Sequence, residues 1–128
     1  MKLKDFDFRV WDKDEKCFLD SYTKSRAIIK NLPKDRLENM ELEFWTGLYD
    51  KNGKKIYEND ILYILYSFED CSEDEAFKYK VVLKEGAFYL VECGDNGEEY
   101  DEDLISEFHL TELEIIGNIH ENPEFLKK

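Results

Sequence analysis

Residues 46–62, TGLYDKNGKKIYENDIL, constrain the fold more than any other stretch of this chain. Met40, Leu42 and Phe44 alternate with Glu41, Glu43 and Trp45, so a strand runs toward Gly47. Asp50-Lys51-Asn52-Gly53 is a strong turn signal, because Asn and Gly accept positive φ with little of the Cβ clash other residues suffer. Ile56 and Tyr57 begin the return strand. Glu58-Asn59 makes a second tight turn, and the apolar run 61–68 is of strand length. Two reversals within so few residues require an antiparallel ribbon.

The flanking sequence extends this reading. Phe6, Phe8 and Val10 alternate with Asp5, Asp7 and Arg9, and residues 12–15 supply a polar turn. Residues 17–19 return as a second strand, giving an N-terminal hairpin. Residues 21–39 are the least readable: Ala27, Ile28 and Ile29 suit a short helix or a strand, and Pro33 interrupts either. Residues 78–84 and 87–93 form a hairpin across Glu85-Gly86. Leu104, Ile105 and Phe108 have helical spacing behind Asp101 or Asp103 as N-cap, which predicts a short helix. Residues 113–116 read as a late strand. Asn122-Pro123 caps a final helical turn ending at Leu126.

Nine Phe, eight Tyr and two Trp, with many β-branched residues, favour sheet over helix. The chain is predicted to be mainly β, with one or two short helices. Its 128 residues fit one domain. No apolar run reaches membrane-spanning length, and the N-terminus lacks the apolar segment of a signal peptide. Cys17, Cys71 and Cys93 are odd in number, widely spaced and free of CxxC, which suits a reducing cytoplasm better than a disulfide framework.

Charge is unevenly placed. Residues 1–64 hold 13 basic and 13 acidic side chains, and residues 65–128 hold 5 and 18, so the whole net charge of −13 lies in the second half. Such a surface repels phosphates and disfavours generic nucleic-acid binding. Lys51, Lys54 and Lys55 form the one basic cluster worth naming, and a solvated hairpin tip accounts for it. Residues 69–75 carry five acids and residues 95–103 carry six; both read as solvated loops.

Three pieces together carry a family likeness: FRVWDKDEKCF near the start, TGLYDKNGKKIYENDIL in the centre and EIIGNIHENPEF near the end. In order and spacing the chain resembles the YopX-like family of phages and prophages. The family usually has Gly before the Asp of its second central turn, where this chain has Asn59. Asn is the side chain that best tolerates the left-handed region, so the turn survives. The resemblance implies an N-terminal hairpin and connecting segment over residues 1–39 followed by an SH3-like, partly open β-barrel over residues 40–128, with self-association. It implies no reaction and supplies no catalytic residues.

The residues themselves give no catalytic signature. Asp60 follows a turn and precedes a buried strand, where an Asx-type bond to backbone is its natural task. Gly47, Asp50, Asn52, Gly53, Asn59, Asp60, Gly117 and Asn118 are therefore expected to shape turns. His109 and His120 lack ligand partners at zinc-site spacing, and HExxH is absent. GxSxG, Walker A and GxGxxG are also absent. Aligning residues 92–103 with a calcium loop leaves Gly94 at the third position and Asp103 where a bidentate Glu belongs, so an EF-hand is rejected. No cofactor is expected.

Trp11, Trp45, Tyr49 and Tyr57 could form an aromatic interaction patch, although core and subunit packing is the plainer account. The favoured function is a non-enzymatic, self-associating interaction module in the bacterial cytoplasm, meeting a host or phage protein. One alternative is an acidic nucleic-acid mimic using Glu69, Asp70, Glu73, Asp74 and Glu75 together with residues 95–103. Another is direct nucleic-acid binding through the barrel and residues 51–55.

Overall fold

The computed structural model of the chain describes residues 2, 5–20, 24, 37–66, 75–94, 98–108 and 110–126, with Tyr66, Glu75 and Glu107 described in backbone only. They are almost entirely strand and turn, in two compact units, Met1–Trp45 and Thr46–Lys128. No described helix is long and apolar enough to cross a membrane.

In the first unit β1 (Phe8–Asp12) pairs antiparallel with β2 (Cys17–Phe18) on one side and with β3 (Met40–Tyr49) on the other. The β1–β2 turn forms because Asp12 Oδ1 accepts the backbone N–H groups of Asp14, at 2.9 Å, and Glu15, at 3.3 Å. Alternation along β1 puts Phe8 and Val10 on one face, opposite Phe44 and Leu42. Arg9 and Trp11 take the other face. Arg9 Nε donates to Glu43 Oε1 at 2.8 Å, and its guanidinium stacks 4.5 Å from the Phe18 ring centre. Trp11 meets Phe18 edge-on at 4.9 Å. Glu43 is 1% exposed, so the Arg9 charge is what makes its burial tolerable.

In the second unit β3 continues past Gly47, whose φ of 86° is one that favours glycine. The Thr46 hydroxyl donates to the Ile56 carbonyl and accepts from the Leu48 N–H. The end of β3 neighbours β4 (Lys55–Tyr57). A five-stranded antiparallel sheet follows, curled into the half-barrel expected of a partly open barrel. Its strands are β5 (Asp60–Tyr66), β6 (Glu75–Lys84), β7 (Ala87–Cys93), β8 (Glu99–Leu104) and β9 (Glu114–Asn118). Their order is β8-β7-β6-β5-β9. Ile56, Leu62, Ile64, Val81, Leu90, Ile105 and Leu113 form the core on one face. Phe77, Tyr79, Phe88 and Phe108 pack against it. On the opposite face of β6, Lys80 and Lys84 reach Glu99 and Glu102 of β8 at 2.6 Å and 2.8 Å.

Three expectations are corrected in detail. The acidic loop over 95–103 is a strand from Glu99 onward, because the sheet offers those carboxylates lysine partners. Leu104 is the last residue of that strand. The helix predicted behind an Asp101 or Asp103 cap is a single 3-10 turn, Ile105–Glu107, whose N-cap Leu104 makes no side-chain bond. Further 3-10 turns cover Leu110–Glu112 and, as the Asn122-Pro123 pair predicts, Pro123–Leu126. The uncertain stretch Ala27 to Ile29, Pro33, Cys71, His109 and the acids Glu69, Asp70, Glu73 and Asp74 lie outside the described residues, as does the Glu75 side chain.

Candidate functional site

The acids and amides that the sequence marks as turn formers draw two distant segments together. Asp50 sits at the end of β3, 5% exposed. Its Oδ1 accepts the N–H groups of Asn52 and Lys54, both at 2.9 Å, which closes the turn. Its Oδ2 accepts the N–H of Ile115 in β9 at 3.0 Å. The Lys51 N–H adds a bond to the Leu113 carbonyl, and Lys51 Nζ lies 3.5 Å from Glu114 Oε2. Burial pushes the Asp50 carboxyl up, but the Ile115, Lys54 and Asn52 N–H groups and the Lys54 charge outweigh it, so its pKa falls below the ordinary value. Within the turn only Gly53 has positive φ, at 77°; Asn52 stays in the ordinary region.

A second junction lies beside it. Asn59 has φ of 70°, the left-handed conformation expected of its turn. Its N–H donates to the Val81 carbonyl and its carbonyl accepts from the Ile119 N–H. Asp60, 2% exposed, accepts the Tyr57 N–H through Oδ2 at 2.8 Å. Directly opposite Asp60 in the β5–β9 register stands Asn118. Its Oδ1 accepts the N–H groups of His120, at 3.0 Å, and Glu121, at 2.9 Å. Gly117 is needed for space, since a Cβ there would stand 2.4 Å from Asn122 Oδ1.

These side chains hold backbone. A carboxylate bound by three N–H groups stays ionised at neutral pH and is a weak proton acceptor, so Asp50 is poorly suited to general-base work. The aromatic candidates divide between the units. Trp11 is buried and Trp45 half-buried in the first; Tyr49 is half-exposed and Tyr57 half-buried in the second. Sequence reading missed the role of the lysines of β6. Their alternation (Lys78, Lys80, Lys84) was there to be seen, but their partners lie two strands away or after β9. The Cys93 thiol is buried, which pushes its pKa up.

A family model described as YopX protein matches residues 7–127, nearly the whole chain. The chain belongs to the YopX family. Its structure is similar to the crystal structure of protein EF1440 from Enterococcus faecalis, with a TM-score of 0.59 and 26% sequence identity. That match covers 95% of this chain and 98% of the other. Among curated proteins no sequence matches it. In this YopX-family protein the second and third of the three resembling pieces form the two junctions: Asp50, Asn59 and Asp60 come from one, Ile115, Gly117, Asn118 and Asn122 from the other.

Proposed function

We propose that this YopX-family protein is a non-enzymatic interaction module of a phage or prophage, self-associating and acting in the bacterial cytoplasm through a host or phage protein. One observation carries the reading: the best-placed polar side chains, Asp50, Asp60 and Asn118, are engaged with backbone N–H groups of their own fold. A fold that uses its polar side chains this way offers partners shape and apolar surface. Leu42, Tyr49, Leu65 and Tyr100 are each at least half exposed, and apolar and aromatic side chains of this kind anchor protein interfaces.

The test combines light scattering across a concentration series with capture of the tagged protein at native expression from its host. The expected result is a mass of two or more chains, with a stoichiometric protein partner. A monomer at every concentration, captured alone with and without phage induction, overturns the reading. If the sole partner is a basic nucleic-acid enzyme, captured only at low salt, the acidic-mimic alternative replaces it. Nucleic acid retained through nuclease and salt washes favours direct binding.

A further inference from the structure

Asn52 and Gly53 stand together at the tip of the turn that Asp50 closes, and both are exposed. An Asn followed by Gly carries the parts of a reaction. The Gly53 backbone nitrogen is held by covalent connection within reach of Asn52 Cγ, so attack needs no encounter. Glycine brings no Cβ to crowd that approach, and the space beside Gly53 is open, with nothing within 4 Å of where a Cβ would stand.

Two bonds hold the reacting groups elsewhere. The Gly53 N–H donates to the Asp50 carbonyl at 3.1 Å, and an N–H engaged in this way gives up its proton less readily. The Asn52 side-chain amide donates to Glu114 Oε1 at 3.4 Å, a long and therefore weak bond on the surface. Both restraints belong to the junction between this turn and β9, and exposed turns open far more cheaply than the core.

Charge at the tip assists the reaction. Lys51 and Lys54 flank the pair in the chain and are exposed, and positive charge stabilises the anion left when the Gly53 nitrogen loses its proton. Asp50 and Glu114 oppose them. The Asp50 carboxylate is engaged with the N–H groups of Asn52, Lys54 and Ile115, and Glu114 lies 3.5 Å from Lys51 Nζ.

We propose that Asn52 is a self-modification site, deamidated through a succinimide with Gly53 when the Asp50 turn opens, and that the product keeps the turn from closing again. Base removes the Gly53 amide proton, the nitrogen bonds to Asn52 Cγ, and the Cγ–Nδ2 bond breaks. The departing nitrogen takes up a proton and leaves as ammonia. Water then splits the imide. Cleavage at Cγ leaves aspartate at this position; cleavage at the main-chain carbonyl carbon leaves isoaspartate, with the chain running through Cβ and Cγ. Water is consumed, ammonia is released and nothing is oxidised. Either product sets a carboxylate where an amide donor met Glu114. Isoaspartate also lengthens the backbone between the Asn52 and Lys54 N–H groups that Asp50 Oδ1 holds. The reaction concerns one chain and is independent of self-association.

The test follows residue 52 by peptide mapping and mass spectrometry while the full chain is incubated at mildly alkaline pH. Mapping separates it from the second Asn-Gly pair, Asn96-Gly97. Conversion should be slow in the folded wild type and fast in the same chain unfolded by urea. Asp50→Ala should speed it about tenfold in the folded protein, the weight of one charged hydrogen bond. Glu114→Ala, at a partly exposed position, should speed it severalfold while the core amides of Val81 and Leu90 stay protected from hydrogen exchange. A folded wild type that converts as fast as the unfolded chain overturns the proposal, as does a folded Asp50→Ala protein that converts no faster than wild type. If Asp50→Ala fails to fold, Glu114→Ala decides, and an unchanged rate there overturns the proposal. The Ile115 amide, bonded to Asp50 Oδ2, should exchange faster in Asn52→Asp than in wild type. Equal exchange would show that the product lets the turn close, which also overturns it.

Discussion

Asp50 Oδ2 accepts the backbone N–H of Ile115, 65 residues farther along the chain, at 3.0 Å. The same carboxylate closes its own turn through Oδ1. One side chain therefore fixes a local reversal and fastens it to the last strand of the sheet, so its loss should be felt in both places.

Asp50→Ala should destabilise the protein by about 2–4 kcal/mol, because it strands N–H groups at a largely buried site. Asp50→Asn should fall short of wild type despite its shape. With its carbonyl kept on the turn, its amide nitrogen points a donor at the Ile115 donor. Urea denaturation of both variants gives the values, and an Asp50→Asn protein as stable as wild type would count against the donor clash.

The pH dependence has a definite sign. The Asp50 pKa is lower in the folded state than the ordinary value of 3.8. The unfolded chain therefore binds this proton more readily, and the carboxylate's contribution is complete above the unfolded value. It is lost as pH falls through the lower folded value. The stability gap between wild type and Asp50→Ala should be flat near neutrality and shrink below about pH 4. Urea midpoints measured down to pH 3 test this, and a gap that widens on acidification would contradict it.

Glu85 and Gly86 join β6 to β7 with φ of 51° and 80°. Positive φ at both centres is the type I′ geometry that suits a two-residue hairpin, and Asn-Gly fills it best. Glu85→Asn should stabilise by about 0.5–1 kcal/mol. Glu85→Val should destabilise, since a β-branched residue is penalised there. Thermal midpoints that rank the two variants the other way would refute this account of the turn.

Gly117→Ala should cost about 1–3 kcal/mol, because its Cβ overlaps Asn122. Combining it with Asn122→Ala should recover part of the loss, giving a coupling energy between the sites. Strict additivity in the double-mutant cycle would mean that the overlap is not the cause.

The legible parts of the fold were those that depend on neighbours in sequence. Gly53, Asn59 and Glu85-Gly86 sit in turns that were read from their own chemistry, and β6 and β7 have the predicted register around residues 85–86. The run from Glu99 to Asp103 was misread because charge density signals solvent. Its strand pairing comes from β7, with Lys80 and Lys84 meeting its acids from a strand farther away. At the junctions, Asp60 was legible as a backbone acceptor and Asp50 as part of a turn. That Asp50 also holds Ile115, and that Gly117 is shaped by Asn122, depends on a register between segments far apart in sequence.

The bond between Asp50 and Ile115 also orders events during synthesis. β5 acquires its second neighbour only when β9 arrives, after β6, β7 and β8 have been made. Until then the edge of β5 is unpaired and the Asp50 carboxylate holds only its own turn. A chain that stopped short of β9 would carry an open, apolar strand edge, a surface prone to pairing with another such chain. β9 is thus the strand that turns an exposed edge into the interior of the sheet.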